Sequence, residues 1–327
     1  MSAFASAFRD PRPPVALVGA GAMARALGLR LVDRGHRVAA VLSRSQAPAE
    51  ALAALLGAPV ASADLGALPA SARLVLVCVG DGAVADVAET LAGAAHDWPE
   101  TVVAHTSGAL PASELQPLAD EGAAVLSFHP LQAVPPGAGA GALDGAYVGL
   151  EGGARAVAAG IELAAGLDLR YLVLSADAKP RYHLAAAMAS NFLVTLAGMV
   201  QEALASIDVD RQDATAMIEP LLRGTLDNLA SSTPEEALTG PIVRGDVETL
   251  RQHGLALRRH LPQLVPVYAA LSVETTRLAV RSGRLAPERA ERVLALMQRM
   301  VTTPIPDFSG GSAADRPATP PPSAEAT

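Results

Sequence analysis

Val15-Ala16-Leu17-Val18-Gly19-Ala20-Gly21-Ala22-Met23-Ala24 decides how this chain is read. Four apolar residues stopped by a glycine read as a short buried strand. The G-x-G-x-x-A that follows opens a helix, which runs to about Arg34. Gly19 permits a tight turn, Gly21 lets a pyrophosphate approach the backbone, and small Ala24 lets helix and strand pack closely. Ala22 and Met23 lie in the first helical turn, whose free N–H groups face an anion. The competing reading is a tight turn in a chain rich in glycine and alanine. The strand–turn–helix context favours a dinucleotide.

Downstream, apolar runs alternate with helical patterns. Arg37–Leu42 reads as the second strand and Leu74–Val79 as the third; Thr101–Ala104, Ala124–Phe128 and Tyr147–Leu150 follow. A helix over Ala154–Ala165 and a strand over Arg170–Leu174 close this region. Such alternation predicts a mainly parallel sheet covered by helices. Beyond Lys179 only helical patterns remain. Thr233-Pro234-Glu235-Glu236 reads as a helix start with a capping box. The expected fold class is an α/β Rossmann domain followed by an all-α C-terminal domain. The expected division is a flexible lead-in over 1–13, a Rossmann domain over 14–178, a helical substrate and dimerisation domain over 179–302, and a disordered tail over 303–327.

The second strand ends in Ser43-Arg44-Ser45. A site for NAD usually places Asp or Glu there to take both ribose hydroxyls. Arginine between two hydroxyls suits a 2′-phosphate, so NADP(H) is expected, against an ordinary surface arginine. Ligands in open α/β sheets collect beyond the carboxyl ends of the strands. This places Val79-Gly80, His105-Thr106-Ser107-Gly108 and Phe128-His129-Pro130-Leu131-Gln132 beside the cofactor. His105, Ser107 and His129 are the polar candidates there, though either histidine can equally cap a turn.

Lys179 is the only lysine in a chain with 24 arginines. A composition that uses arginine wherever a plain charge serves leaves lysine where a group must release its proton, which guanidinium does not do. Lys179 before Pro180 is expected at a helix cap, where the local positive field lowers its pKa. At helical spacing Lys179, His183 and Ser190 share a stripe, with Asn191 at its margin. The rest of that helix is apolar, so it is expected to be mostly buried. Arg244 lies in the turn Leu238–Asp246, where its fork can hold a carboxylate; Asp246 reads as the next N-cap.

The bulk numbers set limits. A net charge of −8 argues against nucleic acid and against an anionic membrane surface. One cysteine, Cys78, in an apolar run reads as a buried thiol and excludes a disulfide framework or a thiolate cluster. No uninterrupted apolar run reaches a membrane span, and no signal-peptide pattern opens the chain, so a cytoplasmic location is expected. The seven histidines show no ligand spacing with Asp or Glu, so no metal is expected.

The layout, with G-x-G-x-x-A first and a lysine opening the helices, resembles the β-hydroxyacid dehydrogenase and ketopantoate reductase superfamily, with its 6-phosphogluconate-dehydrogenase-like C-terminal domain. More closely, His105-Thr106-Ser107-Gly108, Phe128-His129-Pro130-Leu131-Gln132, Tyr182-His183-Leu184-Ala185-Ala186, Ala189-Ser190-Asn191-Phe192 and Leu238-Thr239-Gly240-Pro241 resemble a bacterial Rossmann-like family whose C-terminal helical domain is of unknown function. The resemblance covers residues 14 to about 300. It implies an NADPH-dependent reductase of a small 2-oxo acid such as ketopantoate, with Lys179 as proton donor. It also implies a homodimer. In that superfamily an asparagine follows the lysine by one turn; His183 stands there instead, and this leaves the substrate open. Under this reading Arg244 binds the carboxylate while His183 and Asn191 orient the carbonyl. An imine or prephenate-like substrate and an NADP-binding sensor without turnover are the alternatives.

Overall fold

Val15–Val18 forms β1 with every residue buried. Val15 and Leu17 enter one hydrophobic cluster while Ala16 and Val18 enter another. This is the two-residue period of a strand covered on both faces, and it explains an apolar run without polar alternation. The computed structural model describes residues 12–302. The expected tail over 303–327 and most of the expected lead-in lie outside the described residues.

The sheet has eight strands: β1, β2 (Val38–Leu42), β3 (Val60–Ser62), β4 (Leu74–Val77), β5 (Val102–His105), β6 (Ala124–Pro130), β7 (Tyr147–Gly152) and β8 (Arg170–Val173). Their spatial order is β3-β2-β1-β4-β5-β6-β7-β8. All neighbours are parallel except β6 and β7, where Ser127 stands opposite Glu151 and His129 opposite Gly149. Strand β3 has no counterpart in the sequence reading. It is three half-buried residues among alanines and prolines, too short to give a periodic signal.

Helices α1 (Ala22–Asp33), α2 (Gln46–Leu56), α3 (Val84–Ala92), α4 (Gln116–Asp120) and α5 (Ala154–Gly166) accompany the sheet. Arg30 of α1 is buried; its Nε donates to Leu167 O at 2.8 Å, and its guanidinium pairs with Asp144. These bonds join the helix behind the glycine turn to the far end of α5 and to the loop that leads into β7.

The remaining helices are α6 (Lys179–Ala189), α7 (Asn191–Ala205), α8 (Arg211–Ser231), α9 (Pro234–Ala237), α10 (Pro241–Arg244), α11 (Val247–His260), α12 (Val265–Arg281) and α13 (Pro287–Thr302). Two compact units divide at Leu193/Val194 rather than at residue 178. The Lys179 side chain, buried in the first unit, keeps α6 with the sheet. In the second unit Ile242, Leu250, Val265, Val293 and Met297 form the main core. The capping box at Thr233 and Glu236 is present, and Asp246 caps α11 through Thr249 N at 3.0 Å.

Two expectations about α6 fail. Lys179 is helical (φ −55°, ψ −45°) and occupies the first helical position, with Ala178 at the cap. The helix is not mostly buried: Leu184, Met188 and Phe192 are each more than half exposed, and α6 buries only Lys179. The stretch Ala176–Ala205 has the length and composition to cross a membrane, and it contains an 18-residue window of mean hydropathy 1.5 with no residue buried within the chain.

Candidate active site

Strand β1 lies between β2 and β4, and the crossovers leave it toward opposite sides, which opens a crevice at the carboxyl ends of these strands. Gly19 turns the chain there with φ +109°, and a Cβ would overlap the carbonyl oxygen of Cys78. Only glycine fits both the backbone angle and that approach. Gly19 N–H donates to Leu42 O at 2.7 Å and Cys78 N–H to Val18 O at 2.7 Å, so the turn is tied to both neighbouring strands. Burial pushes the Cys78 thiol up to about 12, which leaves it an inert thiol.

The crevice holds about 610 Å³. Gly19, Ala20 and Gly21 form one wall; Cys78, Val79 and Gly80 form another; Ser43, Arg44 and Ser45 close the end beyond β2. Gly21 is exposed and is the N-cap of α1, with no side-chain cap bond at that helix end. The first-turn amides are thus directed at the open space, as a pyrophosphate requires. Ala24 is fully buried and serves helix packing rather than contact with a ligand. Ala22 and Met23 are half-buried and do not line the crevice.

Arg44 is exposed and makes no hydrogen bond or ion pair among the described residues. Ser45 is the N-cap of α2 with its hydroxyl uncommitted. A free guanidinium, a free hydroxyl and a helix N-terminus at one end of a crevice fit a phosphate monoester. Asp86, Val87 and Thr90 of α3, with Ala63 and Leu65 after β3, also line the crevice, and the sequence reading missed all five. The α3 residues sit at positions 0, 1 and 4 of one helix face, which is a core-like pattern with no motif to mark it.

The second group of polar residues gathers where β5 and β6 end. His105 does not face the crevice: it is fully buried, its Nδ1 accepts from Ser107 N at 3.2 Å, and its Nε2 meets Pro111 O at 3.1 Å. Burial holds it down at about 4, a neutral strut. Ser107 is also buried; its hydroxyl accepts from Ala109 N and Leu110 N and holds a turn. Both were expected beside a cofactor, and both instead shape the loop.

Lys179 is 1% exposed. Its Nζ donates to Ser127 Oγ at 2.6 Å and to Ser107 O at 3.4 Å. Desolvation holds its pKa below the ordinary lysine range, while the carboxylates of Glu151 and Asp81 oppose that shift. The ammonium is therefore turned inward beneath the Ser107–Leu110 loop, not presented at a helix cap.

His129 is half-buried, held down at about 4 by burial first and by Lys179 second. Its Nδ1 lies 3.2 Å from the Tyr182 hydroxyl, and its ring meets that of His183 edge-on at 6.2 Å between centroids. Gly108 fits beneath both rings; a Cβ there would stand 2.7 Å from His129 Cε1 and from His183 Nδ1. His183 itself is exposed.

The fold thus brings Lys179, Ser107, His129 and His183 together. Asn191 opens α7 past a break at Ser190, so the helix does not run straight through the expected stripe. Arg244 is exposed at the end of α10 in the second unit. Tyr182, Ser127 and Glu151 are members of the cluster that sequence reasoning left out. Ser127 and Glu151 carried a usable signal: a polar residue inside an apolar strand needs a buried partner. No group of three or more His, Cys, Asp or Glu among the described residues forms a metal site.

This sheet order, glycine turn and crevice define a Rossmann-like domain joined to a helical region. Residues 2–130 match the model of the Rossmann-like domain, and residues 146–275 match a domain of unknown function, DUF2520. Protein TM1727 from Thermotoga maritima is 27% identical, with 83% of this chain and 100% of that chain aligned at a TM-score of 0.65. BF3122 from Bacteroides fragilis, named as a candidate NADP oxidoreductase, is 24% identical over 82% of this chain and 99% of its own, at a TM-score of 0.66. The imine reductase from Myxococcus stipitatus, solved with NADP+, shares the fold at 18% identity over 88% and 100%, with a TM-score of 0.58. No curated protein matches the chain.

Proposed function

We propose that the chain is an NADP(H)-dependent reductase acting on the C=O or C=N bond of a small molecule. The observation that carries this reading is the crevice: an open glycine turn at one wall and unpaired Arg44 with uncommitted Ser45 at its end. Gly19, Gly21, Val79 and Gly80 would hold the pyrophosphate and its flanks, and Ser43, Arg44 and Ser45 the 2′-phosphate. When bound, the nicotinamide supplies hydride to the substrate carbon. The chain's own part is to orient the substrate and provide the proton. Lys179 is the proton source in this reading, held on Ser127 with a depressed pKa. His129 and His183, at the outer side of the cluster, would orient the substrate oxygen or nitrogen.

Ketopantoate and related 2-oxo acids are the first substrates to try. The imine alternative gains support from the reductases that share this fold, so cyclic imines belong in the same panel. The test follows NADPH oxidation by the purified protein across both sets. Turnover of either set is the expected result. NADPH binding with no oxidation of any member would replace the reductase by a sensor.

A homodimer belongs to the same proposal. Leu184, Met188 and Phe192, spaced at helical intervals over α6 and the start of α7, are each more than half exposed in the single chain, more apolar surface than a monomer ordinarily leaves to water. Light scattering is expected to give the mass of two chains. A mass of one chain in detergent-free buffer would remove the dimer, and recovery only with detergent or lipid would assign that surface to a membrane.

A further inference from the structure

The segment between β5 and the Ala112–Leu115 turn is held almost entirely by buried side chains. His105 takes Ser107 N and Pro111 O, and Ser107 Oγ takes Ala109 N and Leu110 N. Ser107 O accepts from Lys179 Nζ at 3.4 Å and from Ser127 Oγ at 3.3 Å. At the other end Ala112 N donates to Glu151 Oε2 at 2.6 Å. Two of these holders carry opposite charge and come from different elements: Lys179 from α6 and Glu151, 8% exposed, from β7. Ser127, on which Lys179 rests, stands opposite Glu151 in the β6–β7 register. Lys179 forms no ion pair within 4 Å among the described residues, so its compensation acts through space.

The other ionisable groups around the ammonium are Asp81 after β4, His105 of β5, His129 of β6 and His183 of α6. Both His105 and His129 are held at about 4 and carry no charge near neutrality. Asp81 is exposed, and solvent screens its pull. Glu151 remains as the buried counter-charge.

We propose that Glu151 is the positioning residue for Lys179: its buried carboxylate keeps the ammonium protonated beneath the Ser107–Ala112 segment, while Ser127 fixes where that ammonium stands. The inference deepens the reading of Lys179 as proton source and assigns the device that loads it. Without Glu151 the desolvated ammonium loses its nearest buried opposite charge and holds its proton less firmly.

Lys179 is the only lysine, so protein labelled with [13Cε]lysine gives a single lysine side-chain resonance. Its titration reads this group without cofactor or turnover, so its outcome stands apart from that of the reductase assay. The test compares the native chain with Glu151→Gln and Ser127→Ala. Glutamine keeps an oxygen for Ala112 N and removes only the charge. The expected result is a midpoint below that of free lysine in the native chain and lower by about one pH unit or more in Glu151→Gln. Ser127→Ala moves it in the same direction, through loss of an acceptor, and Glu151→Asp restores most of the native value. A midpoint unmoved or raised in Glu151→Gln overturns the proposal. Should that variant not fold, an unmoved midpoint in Ser127→Ala does the same.

Discussion

Replacing Lys179 by alanine is expected to lower NADPH-dependent turnover by about 10²- to 10⁴-fold, the range of one general acid. The dissociation constant for NADPH is expected to stay within about threefold, since no atom of Lys179 lines the crevice. The variant also leaves Ser127 Oγ and Ser107 O without their buried donor, and a loss of about 1–3 kcal/mol in stability follows from that. Turnover is therefore compared on protein shown to be folded, below its own unfolding transition. Lys179→Arg separates the two roles. Arginine supplies a charged donor but does not release a proton, so it is expected to recover stability and remain slow. Equal losses of turnover and NADPH affinity, or full turnover in either variant, would remove Lys179 from the chemistry.

Arg44→Ala is expected to weaken NADPH binding by about 10- to 100-fold and to leave NADH binding within about twofold. The asymmetry follows from the proposed site, since Arg44 has no partner among the described residues and would be open to the 2′-phosphate, the one group that distinguishes the two cofactors. Ser45→Ala follows the same direction with a smaller effect. Fluorescence titration with both cofactors measures the ratio. A parallel loss for NADH and NADPH would place Arg44 on the shared pyrophosphate, and no change in either would leave it an ordinary surface arginine.

The two sites differ in how far the sequence disclosed them. The glycine turn was legible because its constraint is local: Gly19, Gly21 and Ala24 lie within six residues, and each answers to a backbone or packing need at its own position. The place of Arg44 at the crevice was legible for the same reason, one strand end being enough to define it. The buried lysine cluster was only half legible. The rarity of lysine singled out Lys179, but its partners Ser107, Ser127 and Glu151 lie on three separate stretches of chain that only the sheet register aligns. The helical stripe then misled, because Ser190 interrupts the helix and Lys179 points into the sheet domain rather than along the expected face. Strand β3 was lost for want of length, and with it the Ala63–Leu65 floor of the crevice.

The sheet ends at β8, and all four of its residues, Arg170–Val173, are exposed in the single chain. Tyr171, Leu172 and Val173 offer apolar side chains beside a free row of backbone hydrogen-bonding groups, the combination that recruits stray strands from other molecules. Two features restrain it. The strand is only four residues long, and Arg170 opens it with a guanidinium stacked 4.3 Å from the centre of the Tyr147 ring. A charge placed there has the character of a gatekeeper, and Arg170→Ala is expected to raise the tendency of the chain to aggregate, as light scattering over time would read.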